Sequence, residues 1–366
     1  MLLRRPAMPR RHAPSPPRCP AWAGLTPQQI LARYRPGHSD PLQVLEVLLT
    51  LFNSQHTARE KIVSHKTRYE RASFLRRFFR DLKRKAGFAT VPDPRGLRQK
   101  HLQAMITVWQ QERLAPATVQ TYLSFLRGLA SWIGKHGLVR SPAVYGMEAP
   151  DYQRHENALR DHSWSAQGVG AQEVIEQIWA FDRYVGAALG LILAFGLRRK
   201  ESVLCRPYAH VQDHGASGRC LRVTGKGGRV RWLPVDSPQR QAALDAARQV
   251  VDRTDAPLGD PAHDLRHNLR RFDYVLQRFG LTRAERGVTA HGLRHQVLIA
   301  HYEALSGEPA PVRGGDGKDS EARRAVAELA GHARSRASGA YLGGADAKRG
   351  ETPSAPPRPL TPPRTP

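Results

Sequence analysis

The chain is poor in cysteine, has no long apolar run, and has far fewer acidic than basic side chains. Its 366 residues hold three cysteines, Cys19, Cys205 and Cys220, scattered without C-x-x-C spacing. That pattern indicates neither a disulfide framework nor a zinc site, and it fits a reducing compartment. The longest apolar stretch, Tyr184 to Leu197, is interrupted by Gly186 and Gly190. It is too short to span a bilayer, which needs about 20 residues, and predicts a buried helix instead. The N-terminal stretch carries Arg4, Arg5, Arg10, Arg11 and Arg18 among prolines but no apolar core of signal-peptide length, so secretion is not expected. No carboxylate spacing stands out, which argues against a metal-dependent nuclease or transposase. Against 57 Lys and Arg there are only 32 Asp and Glu, a formal charge of +25. This excess calls for a polyanionic partner, nucleic acid first, because lysines and arginines that displace condensed counterions supply most sequence-independent affinity.

The apolar pattern divides the chain. Residues 1–25, rich in Pro and Arg, read as a disordered basic leader, and residues 344–366 as a disordered Pro/Arg-rich tail. Across 26–145 the pattern is helical. Thr26-Pro27 and Asp40-Pro41 each supply an N-cap and a first-turn proline, the second ahead of Leu42, Leu45, Leu48, Leu49 and Phe52. Next, Tyr69, Ala72, Leu75, Phe78, Phe79 and Leu82 recur at helical spacing, with Arg68, Arg71, Arg76, Arg80, Lys83 and Arg84 on the other side. One face can pack and the other can meet phosphate. Two more helices, over about 97–112 and 116–136, complete a helical bundle. Residues 146–166 carry no pattern and predict a linker to a domain over 167–343. There Asp182 can cap the buried helix and Gly196 breaks it just before Arg198. Leu221–Thr224 and Val230–Val235 flank Gly225-Lys226-Gly227-Gly228 as a hairpin with Lys226 at its tip. Helices follow over about 238–251, 265–279, from His291, and 320–329, with 306–319 a flexible Gly/Pro loop. The fold class is mostly α with a small β-hairpin or sheet, α+β.

The chemistry concentrates at His291-Gly292-Leu293-Arg294-His295, at Gly331-His332, and at Tyr341. A tyrosine can attack a phosphodiester and become attached to it, provided the charge on the non-bridging oxygens is held and protons are moved. Arginine suits the first task, since its fork of donors matches two phosphate oxygens, and histidine suits the second. H-x-x-R alone selects nothing, because His56/Arg59, His65/Arg68, His263/Arg266 and His267/Arg270 repeat it. The strongest rival, His263-Asp264-Leu265-Arg266-His267, lacks a preceding turn of the Val288-Thr289 kind and lies much further upstream of His332.

In order, the chain offers Arg198 after Phe195-Gly196-Leu197, then Lys226, His291, Arg294, His332 and Tyr341. This order resembles the catalytic signature of the tyrosine recombinase (phage integrase) family. The match covers roughly residues 167–343, and the helical region before it is compatible with that family's core-binding domain. The resemblance implies that Arg198, rather than Arg199, and Arg294 clamp the scissile phosphate. It gives Lys226 the protonation of the departing 5′ oxygen, His291 the proton shuttling, His332 a hydrogen bond to the phosphate, and Tyr341 the attack. Glu201 would orient Arg198, and Arg229 would join the basic helix face on DNA. Tyr341 stands among Ser338, Gly339, Ala340 and Gly343, which predicts an exposed phenol.

The activity so implied is site-specific recombination through a 3′-phosphotyrosyl intermediate, without metal or nucleotide cofactor, in an integrase of a prophage or integrating element. Its partner is double-stranded DNA, on which four protomers assemble that associate weakly without it, with accessory DNA-bending or directionality factors and no membrane. The place is a bacterial cytoplasm, at the nucleoid. The same residues would also serve a monomeric type IB topoisomerase, or persist in a catalytically silent DNA-binding regulator. The segment after Tyr341 lacks the apolar face with which relatives dock a C-terminal helix on a neighbouring protomer.

Overall fold

A computed structural model describes residues 22–55 and 62–344, with Lys226 described by its backbone alone. The expected leader and tail therefore lie almost wholly outside the described residues. The chain forms two compact units that part between Arg154 and His155.

The first unit is helical: α1 (Pro27–Ala32), α2 (Pro41–Phe52), α3 (His65–Arg84), α4 (Gln99–Gln111), α5 (Pro116–Trp132) and the short α6 (Ala149–Tyr152). The caps act as their residue types dictate. Thr26 and Gln29 form a capping box on α1, and the Asp40 carboxylate accepts the Leu42 and Gln43 N–H groups. Phe74, Phe78, Trp109 and Tyr122 make an aromatic centre, with the Phe74 and Tyr122 rings stacked 4.3 Å apart.

Helix α3 departs from the sequence reading at three positions. Tyr69, expected to pack, is 75% exposed, and Phe74 is buried with the core in its place. Arg71, expected to face phosphate, is 4% exposed. Its guanidinium lies over the Trp132 ring at 5.3 Å and donates to the Gln55 carbonyl at 3.3 Å. Arg76 is taken up by a bidentate pair with Glu46, both bonds 2.6 Å. Arg80, Lys83 and Arg84 are exposed, Arg68 is half-buried, and Arg229 is exposed in the second unit.

The second unit packs α7 (Ala171–Phe181), α8 (Arg183–Phe195), α9 (Arg199–Val203), α10 (Pro238–Val250), α11 (Leu265–Arg278), α12 (Ala290–Ser306), α13 (Ser320–Leu329) and α14 (Gly339–Leu342) beside a three-stranded antiparallel sheet. Its strands are β1 (Val211–Asp213), β2 (Arg219–Thr224) and β3 (Val230–Pro234), in that order. The hairpin appears where the glycine turn predicts it, with Val223 opposite Arg231. The three-residue β1 is too short to leave an alternating pattern in the sequence.

Helix α8 is the apolar stretch, buried through Val185, Leu189, Ile192 and Phe195 and capped by Asp182. Two expectations about its surroundings change. Residues 158–165, read as the end of a linker, pack into this unit. Trp164 is fully buried and donates its indole N–H to the Thr289 carbonyl at 2.7 Å, and Ser165 N–H donates to Gln296 at 3.0 Å. The loop over 306–319, expected to be flexible, buries Ala310 and Val312 and anchors Arg313 to Asp161 (2.8 Å) and Glu303 (2.7 Å). A few buried apolar residues and two ion pairs suffice to dock segments that have no periodicity.

Candidate active site

Two helix ends draw the arginines together. Helix α8 stops at Gly196, whose φ of 63° lies in the left-handed region that glycine enters without a steric penalty. Arg198 then becomes the N-cap of α9, and Glu201 accepts both its backbone N–H (2.9 Å) and its Nη1 (2.7 Å). From α12, the fully buried Arg294 reaches the same place. Its Nη1 donates to the Gly196 carbonyl and its Nη2 to the Ala330 carbonyl at 2.7 Å, and Arg198 Nη2 donates to that same Ala330 oxygen at 2.9 Å. Gly196 and Ala330 cap the C-termini of α8 and α13, where carbonyls lack intrahelical partners and the helix dipoles are negative. Two like charges are thus held side by side by two helix termini and one carboxylate.

The phenol lies against them. Arg294 Nε donates to Tyr341 Oη at 3.3 Å, and His332 Nε2 stands 3.2 Å from that oxygen and 3.4 Å from Arg198 Nη2. Burial, and then the charges of Arg198 and Arg294, lower the His332 pKa. The neutral ring is therefore favoured, able to accept the phenol hydrogen in the tautomer that leaves Nε2 bare. His291 is exposed, with its ring 5.8 Å from that of Tyr341, and its pKa too is lowered by desolvation and then by Arg294 and Arg198. His295, one turn on, is 5% exposed and meets Tyr341 edge-on at 4.9 Å, with His162 at 5.6 Å. Burial first, then His291 and His162, push its pKa down to about 3, so it is a neutral packing ring.

The structure therefore brings Arg198, His291, Arg294, His332, Tyr341 and Glu201 into one cluster. The Lys226 backbone stands in the turn between β2 and β3, and its side chain lies outside the described residues. One expectation is corrected: Tyr341 is not exposed but 4% accessible. Its small neighbours allow close packing rather than solvent access, Ser338 being fully buried beside it. The rival box stays apart, with His263, Arg266 and His267 all exposed and the two imidazoles stacked on each other at 3.8 Å. Arg199 turns to Asp273.

Sequence reasoning passed over Arg231, His295 and His162. His295 had a signal, since it follows His291 by four residues and so shares its helix face. Arg231 had a weaker one, standing two residues before the apolar Leu233 on an alternating strand. His162 had none.

A phenol held between a guanidinium and an imidazole, beside a second guanidinium, can carry phosphoryl transfer through tyrosine. This chain resembles known proteins over much of its length. It belongs to the tyrosine recombinase (phage integrase) family: residues 53–139 match the family described as "Phage integrase, N-terminal" and residues 163–299 the one described as "Integrase". Among its relatives, tyrosine recombinase XerC of Agrobacterium fabrum is 28% identical over 263 residues, 70% of this chain and 76% of that protein. The XerC of Stutzerimonas stutzeri is 25% identical over 241 residues, 65% and 73% of the two chains. The fold is that of lambda integrase. In its tetramer bound to a Holliday junction it matches with a TM-score of 0.51 at 15% identity, covering 83% of this chain and 78% of that one. As a dimer on a core site it matches with 0.51 at 16%, covering 85% and 99%.

Proposed function

We propose that this chain is a site-specific DNA recombinase in which Tyr341 attacks a backbone phosphate and forms a 3′-phosphotyrosyl link. The observation that carries the role of Tyr341 is its oxygen, held between Arg294 Nε at 3.3 Å and His332 Nε2 at 3.2 Å. As the phenol oxygen bonds to phosphorus, its hydrogen passes to His332 and the bond from phosphorus to the 5′ oxygen breaks. Lys226 supplies the proton that the departing 5′ oxygen takes up, and His291 exchanges protons with solvent at the open edge of the site. Arg198, whose side chain is 28% exposed, and Arg294 hold the non-bridging oxygens as charge develops on them. A 5′-hydroxyl from a partner strand reverses the step, so the bond energy is retained and no nucleotide is consumed. Double-stranded DNA is the partner, and exchange between two sites requires four protomers. A prophage or integrating element is the setting we assign.

The test is a nicked suicide substrate carrying the recombination site, incubated in EDTA and run on a denaturing gel. The wild-type chain should become covalently attached. Tyr341→Phe removes only the attacking oxygen, so attachment should vanish while DNA affinity stays nearly unchanged. An adduct in the phenylalanine variant would move the nucleophile elsewhere, and cleavage that needs magnesium and leaves no attachment would overturn the reading.

A further inference from the structure

Arg231 has no part in the steps above, yet it is 8% exposed in the wall of the site, on the strand that leaves the Lys226 turn. Its fork grips both oxygens of Glu201, Nη1 to Oε1 at 3.2 Å and Nη2 to Oε2 at 2.7 Å. Glu201 also accepts Arg198 Nη1 at 2.7 Å and lies 3.9 Å from Arg294 Nη1. One buried carboxylate thus faces three guanidiniums, two of which are the phosphate clamp.

That carboxylate is useful and dangerous. It orients Arg198, but an under-paired buried carboxylate draws in whatever cation it can reach, and the nearest are those a phosphate needs. Bidentate pairing is the strongest way to occupy such a group. With Arg231 holding both oxygens, Arg198 donates to one of them and Arg294 stays beyond hydrogen-bond distance. Two of the three positive charges are left over from the carboxylate, matching the two negative charges a phosphodiester carries once the phenol oxygen has added to it. The Arg231 guanidinium also packs against Gly331, next to His332.

We infer that Arg231 is a positioning residue that occupies Glu201 and so keeps the Arg198–Arg294 clamp free for phosphate, while tying the Lys226 hairpin to the corner between α8 and α9. This rests on the proposed nucleophile and clamp.

The full-length chain on the suicide substrate tests it, with single-turnover attachment rate and DNA affinity measured separately. Arg231→Met should slow attachment by on the order of tenfold or more, the scale of losses on removing an outer-shell partner, with affinity within about twofold of wild type. Arg231→Lys keeps the charge without the fork and should fall between the two. The discriminating variant is the double Arg231→Met/Glu201→Gln. A neutral amide no longer competes for the clamp, so the double should attach faster than Arg231→Met alone. A residue acting only through fold stability would show no such rescue. Wild-type rates in both Arg231→Met and Arg231→Lys overturn the inference, as does a double variant no faster than the single. Should Arg231→Met fail to fold, Arg231→Lys against Arg231→Lys/Glu201→Gln carries the same comparison. A wild-type chain that never attaches removes the site reading itself, and this inference with it.

Discussion

Ala330 contributes only a carbonyl to the site, yet that oxygen receives both Arg198 and Arg294 and sets their spacing. Arg294 makes three such contacts at once, to Gly196, Ala330 and Tyr341, from one planar group. A lysine keeps the charge but can satisfy neither this geometry nor two phosphate oxygens together. Arg294→Lys should therefore lower the single-turnover attachment rate by roughly 100-fold or more, the range for removing a transition-state donor. Arg266→Lys, on the exposed face of α11, should leave the rate unchanged. The reverse pattern would move the clamp to residues 263–267. His295 makes a separate prediction about pH. Its folded pKa of about 3 lies below the ordinary histidine value, so on acidification the unfolded chain takes up the proton first. Its contribution to stability is complete above about pH 6.5 and declines as pH falls toward 3, reaching a loss of about 2 kcal/mol at pH 5. Thermal midpoints at pH 7.5, 6 and 5 should fall less steeply in His295→Asn than in the wild-type chain. Parallel slopes would mean the ring is not held neutral.

At the scale of elements, α12 is the beam on which the site is mounted, and its first turn is fastened to the stretch before α7. Thr289 caps it, Trp164 donates to the Thr289 carbonyl, and Gly292 lies so near residue 162 that an added Cβ would sit 2.4 Å from the His162 carbonyl oxygen. Nothing flexible can yield there, because the clash is with backbone. Gly292→Ala should destabilise the unit by ~2 kcal/mol or more, as overpacking against rigid groups does, and lower the attachment rate through the shift of His291 and Arg294. Circular dichroism melts and the suicide-substrate assay check the two halves of this expectation. An alanine variant with wild-type melting would mean that residues 158–165 do not dock as described.

For the whole molecule, the charge of +25 concerns affinity rather than chemistry. Each phosphate neutralised adds about −0.9 to the slope of log K against log salt. A slope for non-cognate duplex shallower than about −3 would mean only three or so phosphate contacts, too few for basic surfaces on both units. Within that slope the arginines of α3 should separate. Replacing the exposed Arg80, Lys83 and Arg84 with alanine should reduce its magnitude by about 2–3, by the same relation. Arg71→Ala should leave the slope alone and lower the melting temperature, since Arg71 is bound to Trp132 and Gln55. Fluorescence anisotropy across a salt series distinguishes the two.

The sequence alone determined the longer elements, though not β1, and the order of the reactive groups. Local rules explain why: Asp182 and Thr289 are caps by residue type, Gly196 ends α8 because only glycine sits easily at its φ, and the glycine turn around Lys226 requires a hairpin. What the tertiary structure decided was how far from solvent each group lies and what it touches. A helical period marks an apolar face only to within a residue or two, so it could not say that Tyr69 points out and Arg71 in. Small residues around Tyr341 are equally compatible with exposure and with tight packing, and only the meeting of α12 and α14 chose the second. The contacts that set the site, Ala330 to two arginines and Glu201 to Arg231, join residues far apart in the chain through backbone oxygens and a shared carboxylate. No spacing in the sequence encodes such contacts, because they arise only where helix ends and a strand converge.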